Sequence, residues 1–102
     1  MKRADILAEA AKLTTGDRNA AYGHPHNNLT HMANMVAAYL RGKTGYTLAL
    51  TAEDMAWIMV FAKASRTVAT RKDDNYIDAA AYAAIAGECR EISESAKTAL
   101  DS

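Results

Sequence analysis

The sequence predicts an all-α protein, a compact bundle of about four helices that forms a single domain over residues 1–102. Three observations lead to this fold class. Alanine is abundant and the chain has one proline in 102 residues, a composition that favours helix. Apolar side chains recur at three- and four-residue spacings along most of the chain. Short segments with glycine or capping residues separate these periodic stretches.

The first two helices are predicted from apolar spacing and from their boundary residues. The first covers residues 2–13, and Gly16 is expected to end it as a left-handed cap. Its apolar residues at helical spacing are Ile6, Leu7, Ala10 and Leu13. The second covers residues 26–41, with Pro25 near its start, where the missing N–H costs nothing. Gly42 is expected to end this helix.

The last two helices are predicted from capping residues and composition. The third covers residues 52–70, because Thr51 can cap it and Asp54 favours the positive end of a helix dipole. The fourth covers residues 74–97, is preceded by aspartates that can cap it, and contains many alanines. Irregular segments are therefore expected near residues 14–25, 42–50 and 71–74, with no strand in the stretch TGYTLAL.

Charge and composition exclude several classes of protein. Twelve basic residues balance twelve acidic ones, which argues against general DNA or RNA binding, because such binding needs a basic face. A local basic pocket for one phosphorylated small molecule stays open. Cys89 is the only cysteine, which excludes an intramolecular disulfide and argues against a cysteine metal cluster. The N-terminal stretch is typical of an amphipathic helix, not of a signal peptide. No apolar run approaches the length of a membrane span, so we expect a cytoplasmic protein with no membrane partner.

Small size and apolar composition predict a homo-oligomer. Half of the residues are apolar, and a domain of this size often enlarges its core by self-association. Alanines on the fourth helix allow helices to approach closely. They are Ala79, Ala80, Ala81, Ala83, Ala84 and Ala86. We expect at least a dimer, with the last two helices contributing to the interface.

The stretch from Tyr22 to Asn28 forms the first candidate site. Gly23 and Pro25 are typical of a turn that enters a helix, and this role alone explains both residues. The functional interpretation adds that a helix N-terminus offers N–H groups to an anion. Tyr22 would then stack on a base, and His24 or His26 would donate to a phosphate. Asn28 would cap the helix or recognise a base edge. The histidines are not predicted to bind a metal, because no acidic partner is adjacent.

The second candidate site surrounds the junction of the third and fourth helices. Lys63 and Arg66 share a helix face, and they either compensate the helix dipole or bind phosphates. Asp78 follows and either pairs with these cations or binds a ribose hydroxyl or a metal. Asn75 adds an amide, and Tyr82 lies one turn after Asp78 as a core residue or as part of the site.

These stretches together resemble a family of short phage and prophage proteins of uncharacterised function. The pattern begins with Tyr-Gly-x-Pro-x-x-Asn and a helix that contains an aromatic-Tyr-Leu sequence. It continues with Thr-x-x-Asp before a helix ending in Lys-x-x-Arg, and with Asp-Asn-Tyr-x-Asp-x-x-x-Tyr, and it spans about residues 18–91. The residue before Pro25 is usually acidic in this pattern but is His24 here, and Leu29 stands where an aromatic residue is common. The residues that fit the pattern are Tyr22, Gly23, Pro25, Asn28, Asp54, Lys63, Arg66, Asp74, Asn75, Tyr76, Asp78 and Tyr82.

The chain is also distantly similar to phage nucleotide-modification-associated proteins and to all-α nucleotide pyrophosphohydrolases of the MazG type. Enzymes of that type hold magnesium with Glu-x-x-Glu on one helix and Glu-x-x-Asp on the next. This chain lacks that order, since Glu88 and Glu91 supply one Glu-x-x-Glu on the last helix. The resemblance therefore implies nucleotide binding more directly than hydrolysis.

The leading hypothesis is a phage-derived protein that binds a phosphorylated nucleotide-type small molecule without turnover and without a cofactor. It would sequester a nucleotide signal of antiphage defence in the bacterial host cytoplasm. The expected ligand-binding residues are Tyr22, Gly23, His24, Asn28, Lys63, Arg66, Asn75, Asp78 and Tyr82. Arg66 is expected to contribute more than Lys63, because a guanidinium binds phosphate through two parallel bonds.

Two alternative functions remain open. The first is a magnesium-dependent nucleotide pyrophosphohydrolase, with Asp54, Asp74 and Asp78 as the metal ligands, joined by Glu88 or Glu91. It requires these carboxylates to converge on one cation. The second is a structural or protein-interaction module, in which the same residues serve packing and helix ends.

Overall fold

A computed structural model describes residues 1–15 and 23–101. These residues form four α-helices, which are α1 (Arg3–Leu13), α2 (Pro25–Thr44), α3 (Ala52–Arg66) and α4 (Asp73–Asp101). No strand occurs among them, and the segment between α2 and α3 is irregular. The all-α prediction is therefore confirmed for the described residues, within which no helix is long and apolar enough to cross a membrane.

Local side-chain contacts determine where α2 and α3 begin. His24 is extended and precedes Pro25, the first residue of α2, and the His24 Nδ1 accepts a hydrogen bond from the His26 N–H at 3.1 Å. Thr51 and Asp54 form a capping box before α3. The Thr51 N–H donates to the Asp54 Oδ2 at 2.9 Å, and the Asp54 N–H donates to the Thr51 Oγ1 at 3.2 Å. The backbone N–H groups of Thr51 and Asp54 thus each have a side-chain acceptor.

Two helix ends differ from the predicted ones. Gly42 lies inside α2, and Gly45 ends the helix in a left-handed conformation, with its N–H donating to the Arg41 carbonyl at 2.8 Å. The predicted end at Gly42 was therefore wrong. The local sequence does not show which of two glycines, three residues apart, ends the helix. The helix α3 ends at Arg66 instead of residue 70, because β-branched threonine and valine follow it and lower the helix propensity.

The other ends lie near their predicted positions. The first helix ends at Leu13 as expected, whereas its proposed cap, Gly16, lies outside the described residues. The last helix, α4, begins at Asp73 and continues four residues beyond the predicted end, to Asp101.

The core is divided into two clusters on either side of α4. The first joins α2, α3 and α4, and consists of Leu29, Ala33, Ala52, Met55, Ala56, Ala86 and Cys89. The second joins α1 and α4, and consists of Ala10, Ile77 and Ala81. Most of these side chains are small, and the largest fully buried ones are Met55 and Cys89. The end of α1 and the start of α2 both approach α4 between these clusters.

Candidate functional site

A cavity of about 340 Å³ lies where the end of α1 and the start of α2 meet α3 and α4. It is lined by Leu13, Thr14, Gly23, Pro25, Asn28, Leu29, Lys63, Asp78, Ala81, Tyr82 and Ile85. Its walls are more apolar than polar, with a few polar groups between aliphatic side chains. This composition and volume are typical of the smaller sites that bind small molecules.

The cavity brings together five of the nine residues that the sequence assigned to a ligand site. They are Gly23, Asn28, Lys63, Asp78 and Tyr82, from α2, α3, α4 and the segment before α2. His24 lines a smaller neighbouring cavity. Arg66 and Asn75 are not among the residues that line either cavity. Tyr22 lies outside the described residues.

Gly23 shapes the turn that enters α2. Its φ angle is +81°, a left-handed conformation in which a residue with a side chain is strained. The Asn28 side chain lies over this turn, since a Cβ atom at position 23 would be 3.7 Å from its Oδ1. The sequence pattern Tyr-Gly-x-Pro-x-x-Asn thus includes a glycine that the backbone requires and an asparagine packed against it.

The start of α2 offers fewer hydrogen-bond donors than the sequence suggested. The His26 N–H donates to the His24 Nδ1. The N–H groups of Asn27 and Asn28 both donate to the His24 carbonyl, at 3.0 and 3.3 Å. The expectation of free N–H groups near Asn28 was therefore wrong, because a single residue caps all three donors. The helix dipole still favours an anion at this end.

Lys63 and Asp78 form an ion pair across the cavity wall, from α3 to α4. The Lys63 Nζ is 3.2 Å from the Asp78 Oδ2, and the side chains are 15% and 31% exposed. An ammonium group has three N–H donors, so the bond to Asp78 does not exhaust the capacity of Lys63. Tyr82 lies one turn further along α4 and is half-buried. The cavity therefore combines a positive charge, a carboxylate and an aromatic ring.

Arg66 and Asn75 lie apart from this group. Arg66 is exposed and is the last residue of α3, so it stands about one turn beyond Lys63 along the helix axis. Asn75 is buried in the first turn of α4, and its N–H donates to the Lys72 carbonyl at 3.1 Å. Lys63 therefore lines the cavity and Arg66 does not.

A second cavity of about 230 Å³ adjoins the first and shares Thr14, Pro25 and Ile85 with it. At its edge the His24 Nε2 is 3.2 Å from the Glu88 Oε1. Sequence reasoning missed this contact, and it also missed the contribution of Leu13 and Thr14. Both depend on how α1 and α2 pack against α4, and no local pattern in the sequence signals that packing.

The carboxylates of the enzymatic alternative do not converge. Asp54 belongs to the capping box at the start of α3, about 13 Å along the helix from Lys63, the partner of Asp78. Asp74 is exposed in the first turn of α4. Glu88 faces His24. Across residues 1–15 and 23–101, no group of three or more His, Cys, Asp or Glu side chains is placed to hold a metal ion.

Comparison with known proteins identifies a family. The model of a family described as "Domain of unknown function (DUF6378)" matches residues 5–90. This chain belongs to the DUF6378 family. The matched range contains all residues that line the main cavity, so the cavity is built entirely from the part of the chain that defines DUF6378.

The chain is also similar to a phage protein. It is 34% identical over 79 residues to the Gene 55 protein of Mycobacterium phage D29. The aligned residues cover 76% of this chain and 48% of the phage protein. The chain thus spans about half the length of this curated relative. No solved structure shows significant similarity to this chain. These findings agree with the predicted phage protein family of uncharacterised function, while the detailed motif pattern and the more distant relatives stay predictions.

Proposed function

We propose that the main cavity binds a phosphorylated nucleotide-type small molecule and holds it without turnover. The observation that carries this proposal is the convergence of Gly23, Asn28, Lys63, Asp78 and Tyr82 on one cavity. These residues come from three separate stretches of the chain, and all five are among those that the sequence assigned to a ligand site. A set of residues that served only helix ends and packing would have no reason to meet in the same cavity.

Each polar group in the cavity suits one part of a nucleotide. Lys63 is mostly buried, and a partly desolvated ammonium attracts a phosphate more strongly than an exposed one does. Asp78 can accept hydrogen bonds from ribose hydroxyls. Tyr82 and the aliphatic walls can contact a base. The positive end of the α2 dipole lies at the same cavity and adds to the attraction for an anion.

The arrangement favours binding over hydrolysis. A magnesium-dependent hydrolase needs several oxygen ligands around the cation. Among the described residues, Asp78 is the one carboxylate in the cavity lining, and it is paired with Lys63. Similarity to a phage protein supports a use in infection, in which the protein would sequester a nucleotide signal of bacterial defence. Sequestration requires affinity and no catalytic group.

The test of this function is ligand binding followed by recovery of the ligand. The purified protein is heated with nucleoside mono-, di- and triphosphates and with cyclic dinucleotides, and the unfolding midpoint is measured. A ligand present at 100 times its Kd should stabilise the fold by about 2.7 kcal/mol. The supernatant is then analysed by chromatography after denaturation. Intact ligand supports sequestration, altered ligand indicates an enzyme, and no shift with any compound contradicts the proposal.

Replacement of Lys63 tests the position of the phosphate. We expect Lys63→Gln to weaken binding by about 1.5–3 kcal/mol, the usual contribution of a charge-assisted hydrogen bond, or roughly 10- to 100-fold in Kd by calorimetry. Lys43→Gln is the matched control, because Lys43 is exposed in the last turn of α2 and lines neither cavity. Arg66→Gln should have the smaller effect. A larger loss with Arg66→Gln would place the phosphate at the end of α3.

A further inference from the structure

The solvent side of α3 is apolar. From Met55 to Ala62 every residue of this helix is apolar, and Met55 lies in the core. On the opposite side, Trp57, Ile58 and Phe61 are 40%, 42% and 65% exposed, and their spacing places them on one helix face. We call these three residues the outer face of α3. A helix that is apolar on all sides is normally buried on all sides.

The chain exposes more surface than a compact monomer of its size. Its accessible surface is 7337 Å², whereas a folded monomer of 11.0 kDa exposes about 5,600 Å². The radius of gyration is 15.4 Å, compared with about 13 Å for a compact domain of this length. The excess is about 1,700 Å² per chain, which is more than the roughly 800 Å² that each partner buries in a standard interface.

We propose that the outer face of α3 is the interface for a second copy of this chain. The charges beside this face are of both signs. The Trp57 indole N–H donates to the Glu53 Oε2 at 3.1 Å, the Arg90 Nη1 is 3.9 Å from that same oxygen, and the Arg90 Nε donates to the Glu94 Oε1 at 3.1 Å. In a two-fold interface, a residue of one chain contacts a different residue of the second chain, and the same contact occurs again with the chains exchanged. A rim that contains both charges can therefore place its cations opposite the anions of a second copy.

Net charge also favours a second copy over a strongly charged partner. The formal charge is zero, so two copies do not repel each other and the chain has no overall field to attract an acidic or basic protein. This interface is independent of the proposed ligand site, since no residue of the outer face lines either cavity.

The structure shifts the expected interface from the alanines of α4 to α3. Ala81 and Ala86 are buried within the chain, in the contacts of α4 with α1 and α3. Their small size therefore already allows close packing of helices within one chain. Among the exposed large apolar residues, Trp57, Ile58 and Phe61 share one face of α3, and aromatic residues are enriched at the centres of interfaces.

The proposal is tested by the mass of the protein in solution. We expect the wild-type chain to have at least twice the monomer mass of 11.0 kDa at micromolar concentration, by light scattering and by sedimentation. Phe61→Glu should reduce it to the monomer mass while the helical circular dichroism stays unchanged, because the replaced side chain is exposed in the single chain. Val68→Glu is the control, since Val68 is 90% exposed beyond the end of α3, and it should keep the wild-type mass.

A second measurement uses Trp57, the only tryptophan. Its fluorescence should shift to longer wavelength as the wild-type protein is diluted, because dissociation exposes the indole, and the shift should be absent in Phe61→Glu. Ile58→Lys repeats the mass test at another position, so a folding defect in one variant does not decide the result. A wild-type monomer at micromolar concentration, or wild-type mass in both Phe61→Glu and Ile58→Lys, overturns the proposal.

Discussion

At the scale of single residues, Gly23 has the most demanding backbone position in the candidate site. Its φ angle is +81°, and the nearest atom to a Cβ at this position would be the Asn28 Oδ1 at 3.7 Å. That distance is an ordinary van der Waals contact, so space does not forbid a side chain. The constraint comes from the left-handed backbone, which residues with a Cβ adopt at a cost.

Gly23→Ala tests this constraint. We expect the free energy of unfolding to fall by about 1–2 kcal/mol, the cost of a left-handed conformation with a Cβ, as measured by urea denaturation. Gly87→Ala is the matched control, because Gly87 lies inside α4 and a Cβ there would meet nothing within 4 Å. It should raise stability by about 0.5–1 kcal/mol. Equal effects of the two substitutions would contradict a special backbone at Gly23.

At the scale of elements, α3 serves two surfaces of the molecule. Lys63 faces the cavity, whereas Trp57 and Phe61 face outward. The capping box of Thr51 and Asp54 determines where this helix begins, whereas the packing of Met55 and Ala56 in the core determines which sides of it face the cavity and the solvent. The same helix start explains why Asp54 serves as a cap in this fold and does not join Asp78.

Replacement of the cap should weaken α3 without changing either surface directly. We expect Thr51→Ala to lower the free energy of unfolding by about 1 kcal/mol, within the range of 0.5–2 kcal/mol for lost N-caps. Thr51→Ser should keep most of the stability, because serine retains the hydroxyl that accepts the Asp54 N–H at 3.2 Å. Thermal or urea denaturation measures both. Equal losses for alanine and serine would show that the methyl group, not the hydroxyl, is the stabilising feature.

At the scale of the whole molecule, Cys89 reports on the opening of the core. It is buried among α2, α3 and α4. Burial raises the pKa of the Cys89 thiol above 9.0, and the nearby carboxylates of Glu88 and Glu53 raise it further. A thiol that is both buried and protonated reacts slowly with thiol reagents, since the thiolate is the nucleophile. Modification therefore requires the core to open.

The expected result is slow modification of Cys89 by a thiol reagent at pH 8 and complete modification in denaturant. The stability contribution follows from the raised pKa. Well below the ordinary pKa of 9.0 the thiol is protonated in both states, whereas as the pH approaches and exceeds that value the unfolded chain loses its proton first. Stability should fall as pH rises from 9 through the folded pKa. Cys89→Ala should show a smaller decline over this range, and rapid labelling of the native protein would contradict the burial of the thiol.

The sequence predicted those features that depend on local pattern. Apolar spacing, capping residues and composition located the four described helices, and residue chemistry selected Lys63, Asp78 and Tyr82, which line one cavity. Features that depend on distant packing were not predictable. Nothing local distinguishes Gly42 from Gly45 as the end of α2. The expected contributions of Arg66 and Lys63 to ligand binding were ranked from guanidinium chemistry alone. The sequence did not show that α3 ends at Arg66, which lines neither cavity.

The contact between His24 and Glu88 has a consequence for the rest of the DUF6378 family. Because the His24 Nδ1 accepts the His26 N–H, the neutral ring carries its proton on Nε2, and this tautomer points the N–H toward the Glu88 carboxylate at 3.2 Å. An aspartate at position 24 would cap α2 equally well. It would also place a second negative charge opposite Glu88. The two positions should therefore covary, with an acidic residue at one excluding an acidic residue at the other.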